Sequence, residues 1–211
     1  MSDHIHPSVH PESNRIAGGG FTLWFTGLSG AGKTTIAHLV GPALEERGLI
    51  IEYLDGDAIR THLSKGLGFS KQDRDTNIER IGWVASRLTR HGAAVIVAAI
   101  SPYEAARRQA RALVEEYGSF VEVHVHASVD ECARRDVKGL YAKAFSGEIK
   151  EFTGVSDPYE VPARPELRLN TEEHVPEQSA RLVIARLEHL GVIEPLESRA
   201  DLTTSTGPFT A

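Results

Sequence analysis

The chain has 211 residues, 41% apolar and 25% charged, with a formal net charge of −6, ordinary values for a soluble globular protein with one sizeable core. The acidic balance and the lack of a basic tract argue against broad nucleic-acid binding, and the single cysteine, Cys132, excludes an intrachain disulfide and a cysteine zinc cluster. No apolar run reaches the length that crosses a bilayer, and Met1–Gly20 has neither the apolar core nor the cleavage pattern of a signal peptide, so the expected compartment is the cytoplasm.

Residues 1–20, rich in His, Pro, Ser and Gly, read as a disordered N-terminal tail. Residues 21–194 read as one α/β domain. Phe21 to Thr26 is a predicted strand, followed by a glycine-rich turn and a predicted helix from Lys33 to Arg47. Further strands are predicted at Leu49 to Leu54, Ala93 to Ile100, Phe120 to His126 and Leu167 to Asn170. Helices are predicted at Ala58 to Ser64, Lys71 to His91, Tyr103 to Tyr117, Val129 to Arg135 and Glu177 to Leu190, with Gly48, Gly92, Gly118 and Gly191 placed as C-caps. Such alternation predicts a mostly parallel central sheet with helices on both faces, hence three layers. Ligands in such sheets sit at the carboxyl ends of the strands. Residues 136–165 break the alternation with three Pro, three Gly and several charges, and read as a mobile lid. Residues 195–211 read as a flexible C-terminal tail.

The turn after the first strand is Gly27-Leu28-Ser29-Gly30-Ala31-Gly32-Lys33-Thr34-Thr35, a complete phosphate-loop motif in the strand–turn–helix context it requires. Its backbone N–H groups can converge on phosphate oxygens, Lys33 can reach the β/γ-phosphates, and the Thr34 hydroxyl can ligate Mg2+. The ligand is therefore a nucleoside triphosphate. Asp55-Gly56-Asp57 ends the second strand. One carboxylate there can hold Mg2+ through water and the other can take a proton from an attacking hydroxyl; Asp57 alone also fits a plain helix N-cap. The third strand ends Ala98-Ala99-Ile100-Ser101 without an acid, so these second-strand carboxylates are the acids available to the metal. Arg60, Arg74 and Asn77 follow, the last two on one helix face. Phe69, in a glycine-rich loop, either stacks on a base or anchors the loop in the core, and Phe152 is a second loop aromatic. The cations of Arg134 to Lys138 can close over the triphosphate.

Taken in order, Gly27 to Thr34, Leu54-Asp55-Gly56-Asp57, Leu67-Gly68-Phe69-Ser70, Asp73-Arg74 with Asn77, Ile100-Ser101-Pro102-Tyr103, Asp136 to Tyr141, Gly147-Glu148-Ile149-Lys150 and Phe152-Thr153-Gly154 resemble the adenylylsulfate kinase family. The resemblance runs from about Phe21 to Thr171. It implies a P-loop kinase fold and transfer of the γ-phosphate of MgATP to the ribose 3′-hydroxyl of adenylyl sulfate, giving 3′-phosphoadenylyl sulfate and ADP in sulfate assimilation. It implies that Gly27 to Thr35 and Arg134 bind ATP, and that Asp57, with Asp55 close by, is the base or the Mg2+-water partner. It implies that Asp57, Ala58, Ile59, Arg60, Arg74, Asn77, Ile100, Ser101 and Lys138 line the acceptor site, with Phe69 and Phe152 sandwiching its adenine. Ser101 matches a family serine sometimes assigned as a phosphorylated intermediate; direct transfer needs none, and a substrate contact is the reading favoured here. The resemblance also suggests a homodimer and admits a sulfate adenylyltransferase partner, with no nucleic acid and no membrane. Ala58, Ala99, Ala142, Phe145 and His126 depart from the family pattern, leaving the lid less basic. Two other readings stay open: a P-loop kinase for another small acceptor, and a nucleotide switch or silent sensor. Against the switch, the chain has no Asn-Lys-x-Asp guanine motif and keeps Lys33 and Asp57.

Overall fold

The computed structural model describes residues 19–196. The two predicted tails therefore lie outside the described residues except at 19, 20, 195 and 196. The elements run β1 (Phe21–Thr26), α1 (Lys33–Glu45), β2 (Ile51–Asp55), α2 (Gly56–His62), α3 (Lys71–Arg90), β3 (Ala94–Ala98), α4 (Glu104–Glu115), β4 (Ser119–His126), α5 (Val129–Arg135), α6 (Leu140–Phe145), β5 (Leu167–Asn170) and α7 (Pro176–His189). The five strands form one sheet in the order β2-β3-β1-β4-β5, and every pairing is parallel. From β1 the chain winds outward to β2 and back through β3, then crosses to β4 and β5. The switch point beside β1 leaves a crevice at the carboxyl ends of β1 and β3, where open α/β sheets hold ligands.

Both faces of the sheet are covered. β1 and β3 are buried along their whole length, which explains their near-continuous apolar sequences. Phe21, Leu23 and Phe25 point to a core shared with Val40 and Leu44 of α1, Cys132 of α5, Tyr141 of α6 and Val183 and Leu187 of α7. Trp24 points the other way, into a core with Ile78, Ile81 and Ala85 of α3 and Ala106, Ala110 and Val114 of α4. It stacks on Phe120 with ring centres 5.5 Å apart. The helix α3 starts at Ser70, whose hydroxyl accepts from the Asp73 N–H at 3.2 Å, satisfying one of the orphan donors of the first turn.

Beyond shifts of one or two residues at element ends, two details depart from the sequence reading. The segment 136–165 contains a helix, α6, where only a loop was expected. Gly118 lacks the positive φ of the C-cap glycines at 48, 92 and 191. It is small for another reason: a Cβ there would lie 2.1 Å from the Gly20 carbonyl oxygen.

β4 carries His124, which is 4% exposed and stacked on Tyr159 with ring centres 5.8 Å apart. Burial above all, then His126, Arg168 and Arg107, pushes its pKa from 6.5 down to about 4. Between those values the unfolded chain takes up a proton that the folded chain refuses, so stability falls as pH drops from 6.5 towards 4. The expected loss from this one group is about 3 kcal/mol. Urea unfolding of His124→Phe at pH 7, 5 and 4 should show a shallower acid decline than the parent; parallel declines would refute the assignment.

Candidate active site

β1 delivers the chain to the phosphate loop. Gly27 has φ 149, and a Cβ there would lie 2.2 Å from the Val125 carbonyl oxygen, so no side chain fits. Gly32 precedes α1 in the left-handed conformation with φ 105. The first turn of α1 leaves N–H groups without intrahelical acceptors, which suits an anion. Lys33 folds back over the loop, donating to the carbonyls of Gly27 at 2.9 Å and Leu28 at 2.8 Å. It is 8% exposed, and burial, assisted by Lys138 and opposed by Cys132 and Asp55, lowers its pKa to about 8. The Thr34 hydroxyl donates to Asp55 Oδ2 at 3.1 Å, joining the loop to the end of β2.

A single cleft of about 610 Å3 runs from this loop to the ends of β3 and α3. Of the residues expected from the sequence, Ser29, Gly30, Gly32, Lys33, Thr34, Thr35 and Asp55 line one part, and Arg60, Phe69, Arg74, Asn77, Ile100, Ser101 and Lys138 line the other. Phe69 is 59% exposed, with the Arg60 guanidinium 4.4 Å from its ring centre. An exposed aromatic face held by a cation is poised for stacking and is poorly explained as a core anchor. Asn77 is buried, and its Oδ1 has no hydrogen-bond donor among the described residues. A buried acceptor left open in a cleft is suited to a ligand hydroxyl. Arg74 is buried too. It donates to the Phe69 carbonyl at 2.7 Å, to Thr153 Oγ1 and to the Glu151 carbonyl, clasping the Phe69 loop to the 151–153 segment.

Ser101 is 1% exposed and has φ 42. Its hydroxyl accepts from Trp24 Nε1 at 3.0 Å and donates to the Ala99 carbonyl at 3.3 Å. Both roles of the hydroxyl are thus occupied inside the core.

Several expected residues stand elsewhere. Phe152 does not line the cleft; it is 9% exposed and meets Tyr141 edge-on with ring centres 4.9 Å apart. Arg134 points outward, its fork held by Glu131 at 2.7 Å. The neighbouring Arg135 reaches the phosphate loop instead, donating to the Gly30 carbonyl at 3.3 Å and to Thr171 Oγ1 at 3.0 Å. Ile59 is a core residue and Ala58 is exposed. Asp57 belongs to α2, and its side chain lies outside what is described. Gly27, Leu28 and Ala31 shape the loop without lining the cleft.

The sequence reading assigned no role to Tyr141 or Asp136. Tyr141 lines the cleft, and its hydroxyl donates to the Ser29 carbonyl at 3.0 Å. Burial, then the neighbouring Cys132, raises its pKa, which keeps it a donor. The Asp136 carboxylate accepts from the N–H groups of Tyr141 at 3.0 Å and Ala142 at 3.1 Å, capping the start of α6 and lowering its own pKa. An Asp four residues before a helical Leu-Tyr pair was the available signal.

Comparison with known proteins agrees with this geometry. The family described as adenylylsulphate kinase matches residues 19–170. An adenylyl-sulfate kinase of Picosynechococcus sp. is 54% identical over 176 residues, 83% of this chain and 98% of that protein. A probable bifunctional SAT/APS kinase of Sorangium cellulosum is 52% identical over 82% of this chain and 29% of its own length. A structure of the Mycobacterium tuberculosis APS kinase in complex with AMPPNP and APS superposes with a TM-score of 0.78 at 44% identity, covering 81% of this chain and 98% of that one. A phosphate loop opening onto a second, aromatic and cationic pocket, and a match across nearly all the described residues, make this chain a member of the adenylylsulphate kinase family.

Proposed function

We infer that the protein transfers the γ-phosphate of ATP to the ribose 3′-hydroxyl of adenylyl sulfate, releasing ADP and 3′-phosphoadenylyl sulfate. The observation that carries this reading is the continuity of the cleft: Lys33 and Thr34 lie in the same cavity as Phe69, Asn77 and Ser101. A triphosphate on the loop would therefore face an acceptor held in the second pocket. The hydroxyl oxygen forms a bond to the γ-phosphorus as the bond to the bridging oxygen breaks, and the electron pair leaves with ADP. Asp57 takes the hydroxyl proton. Lys33 and the loop N–H groups hold the phosphates, Arg60, Arg74 and Lys138 face the phosphosulfate, and Asn77 accepts from the ribose. Phe69 stacks on the adenine, and Phe152 would join it only after the lid shifts its ring out of the core. Catalysis is then positioning and charge neutralisation.

Mg2+ fits the donors present. Thr34 and Asp55 offer hard oxygens 3.1 Å apart beside the phosphate loop, the chemistry Mg2+ takes together with phosphate and water. Thr34 would hold it directly, with Asp55 or Asp57 through water. When bound it neutralises charge on the β- and γ-phosphate oxygens.

We read the protein as a cytoplasmic homodimer on the family resemblance; among the described residues no helix is long and apolar enough to cross a membrane. Adenylyl sulfate would come from a sulfate adenylyltransferase, a pairing supported by the bifunctional relative. The decisive assay measures ADP release and product identity with MgATP and adenylyl sulfate, a sugar acid or a nucleoside as acceptor. Turnover with adenylyl sulfate at least about a hundredfold above the others is expected; turnover with another acceptor alone, or ATP binding without ADP, would overturn the reading.

Two substitutions test individual roles. Phe69→Ala should raise KM for adenylyl sulfate about tenfold to a hundredfold, the range of one base–aromatic stack. KM for ATP and Tm should barely move, since the ring is exposed. Equal losses for both substrates would make Phe69 a loop anchor. Ser101→Ala should keep turnover within about tenfold of the parent, because one buried hydroxyl contact is worth roughly 1 kcal/mol. Complete loss of turnover with intact binding of both substrates would restore the phosphoserine route.

A further inference from the structure

We infer that Arg107, which lies outside the cleft, is a positioning residue for its acceptor half. This rests on the adenylyl sulfate reading above. Arg107 stands on α4 and is 3% exposed. One end of its guanidinium fork donates to the Ser101 carbonyl at 2.7 Å, and the other to the Glu160 carbonyl at 2.8 Å. Its Nε lies 2.9 Å from Glu122 Oε1 on β4, an ion pair out of hydrogen-bond alignment. The fork thus joins the turn after β3, which lines the cleft, to the far end of the predicted lid, which packs behind it.

Each segment needs such a tie. Ser101 has φ 42, a conformation that costs a non-glycine residue free energy and persists only where its surroundings impose it. Ile100, Ser101 and Pro102 line the acceptor half, so a relaxed Ser101 would move that wall. On the lid side, the Glu160 N–H donates to the Pro102 carbonyl at 2.8 Å, and Tyr159 reaches Thr26 Oγ1 at 2.9 Å. Thr26 in turn donates to the Ile100 carbonyl at 2.7 Å. A planar fork holds two carbonyls in fixed relation, whereas an ammonium on a flexible stem satisfies one at a time. Among the described residues the polar partners of the Arg107 side chain are Ser101, Glu160 and Glu122, none of them in the phosphate loop, so the two halves of the cleft should respond differently to its loss.

Arg107→Lys keeps a charge opposite Glu122 and removes the double tie. The expected result is a fall of about tenfold or more in kcat/KM for adenylyl sulfate, with KM for ATP within about twofold of the parent. Hydrogen exchange of the free protein should quicken at residues 99–104 and 157–161 and stay unchanged in the phosphate loop and α1. Equal shifts in both substrates with exchange raised throughout β4 and α4, or no shift in either readout, would overturn the proposal. Should Arg107→Lys fail to fold, the double variant Arg107→Met, Glu122→Met removes both charges together and is read the same way. If the parent does not turn over adenylyl sulfate, the functional reading fails, while the exchange pattern still decides whether Arg107 holds the two segments.

Discussion

Lys33→Ala should lower phosphoryl transfer by at least about three orders of magnitude, beyond the loss seen when one preorganised donor is removed from a transition-state site, and leave Tm within a few degrees of the parent. The two halves of that expectation have separate causes. Lys33 is the cation of the phosphate loop, held by the Gly27 and Leu28 carbonyls where charge develops during transfer. Yet it is buried, and burial brings its pKa down from 10.5 to about 8. At neutral pH the folded protein therefore carries a charge it would shed more readily than the unfolded chain, a penalty of about 3 kcal/mol. Alanine removes that penalty together with two hydrogen bonds to the loop and the packing of the stem, terms of comparable size and opposite sign. The sign is testable through pH. Below pH 8 the parent carries the full penalty; between 8 and 10.5 it loses its proton and the penalty fades. The stability difference should thus move against Lys33→Ala by about 3 kcal/mol over that window. Chemical denaturation at pH 7, 9 and 10 checks this, alongside ADP release with adenylyl sulfate. A variant that keeps a tenth of parental turnover, or a difference that does not change with pH, would refute the argument.

The contrast between Lys33 and Phe152 shows what was legible in the sequence. The phosphate loop is a local device: its conformation follows from glycines at fixed offsets between a strand and a helix, so the motif determines the geometry. The strands were legible for a related reason. Phe21–Thr26 was found at its observed bounds and Ala94–Ala98 within a longer apolar run, because burial on both faces demands nearly continuous apolar residues, whereas the edge strand Leu167–Asn170 showed itself by alternation of apolar and polar residues. α6 was missed because its six residues start behind Gly139 and its cap is the Asp136 carboxylate acting across a turn, a pattern without apolar periodicity to reveal it. Arg134 and Arg135 are told apart by rotation: adjacent helical residues point about 100° apart, and only the structure shows that Arg135 faces Gly30. Phe152 depends on a tertiary fact, the ring of Tyr141 beside it. Arg107 was invisible as a functional residue because its partners are main-chain carbonyls of Ser101 and Glu160, which no side-chain pattern records.

Asp57→Asn should lower kcat by about a hundredfold to ten-thousandfold, the span of general-base contributions, while ATP affinity stays within about threefold of the parent. The two acids, two residues apart in the sequence, are expected to do different work. Asp55 ends β2 and already accepts the Thr34 hydroxyl at 3.1 Å, which ties it to the corner of the phosphate loop where Thr34 would hold Mg2+. A carboxylate so engaged is poorly free to take a proton from the acceptor. Asp57 follows two residues later, within the first turn of α2, and we assign the proton to it. Asp55→Asn should then raise the Mg2+ concentration needed for half-maximal rate and weaken MgATP binding, effects of removing a metal partner. Asp57→Asn should leave the Mg2+ requirement unchanged and abolish the acidic limb of the pH–kcat profile, since the group whose ionisation produced that limb is gone. The pair of profiles, measured with saturating adenylyl sulfate, discriminates the two roles. Near-parental turnover in Asp57→Asn, with the acidic limb lost only in Asp55→Asn, would exchange the assignments and place the base on β2.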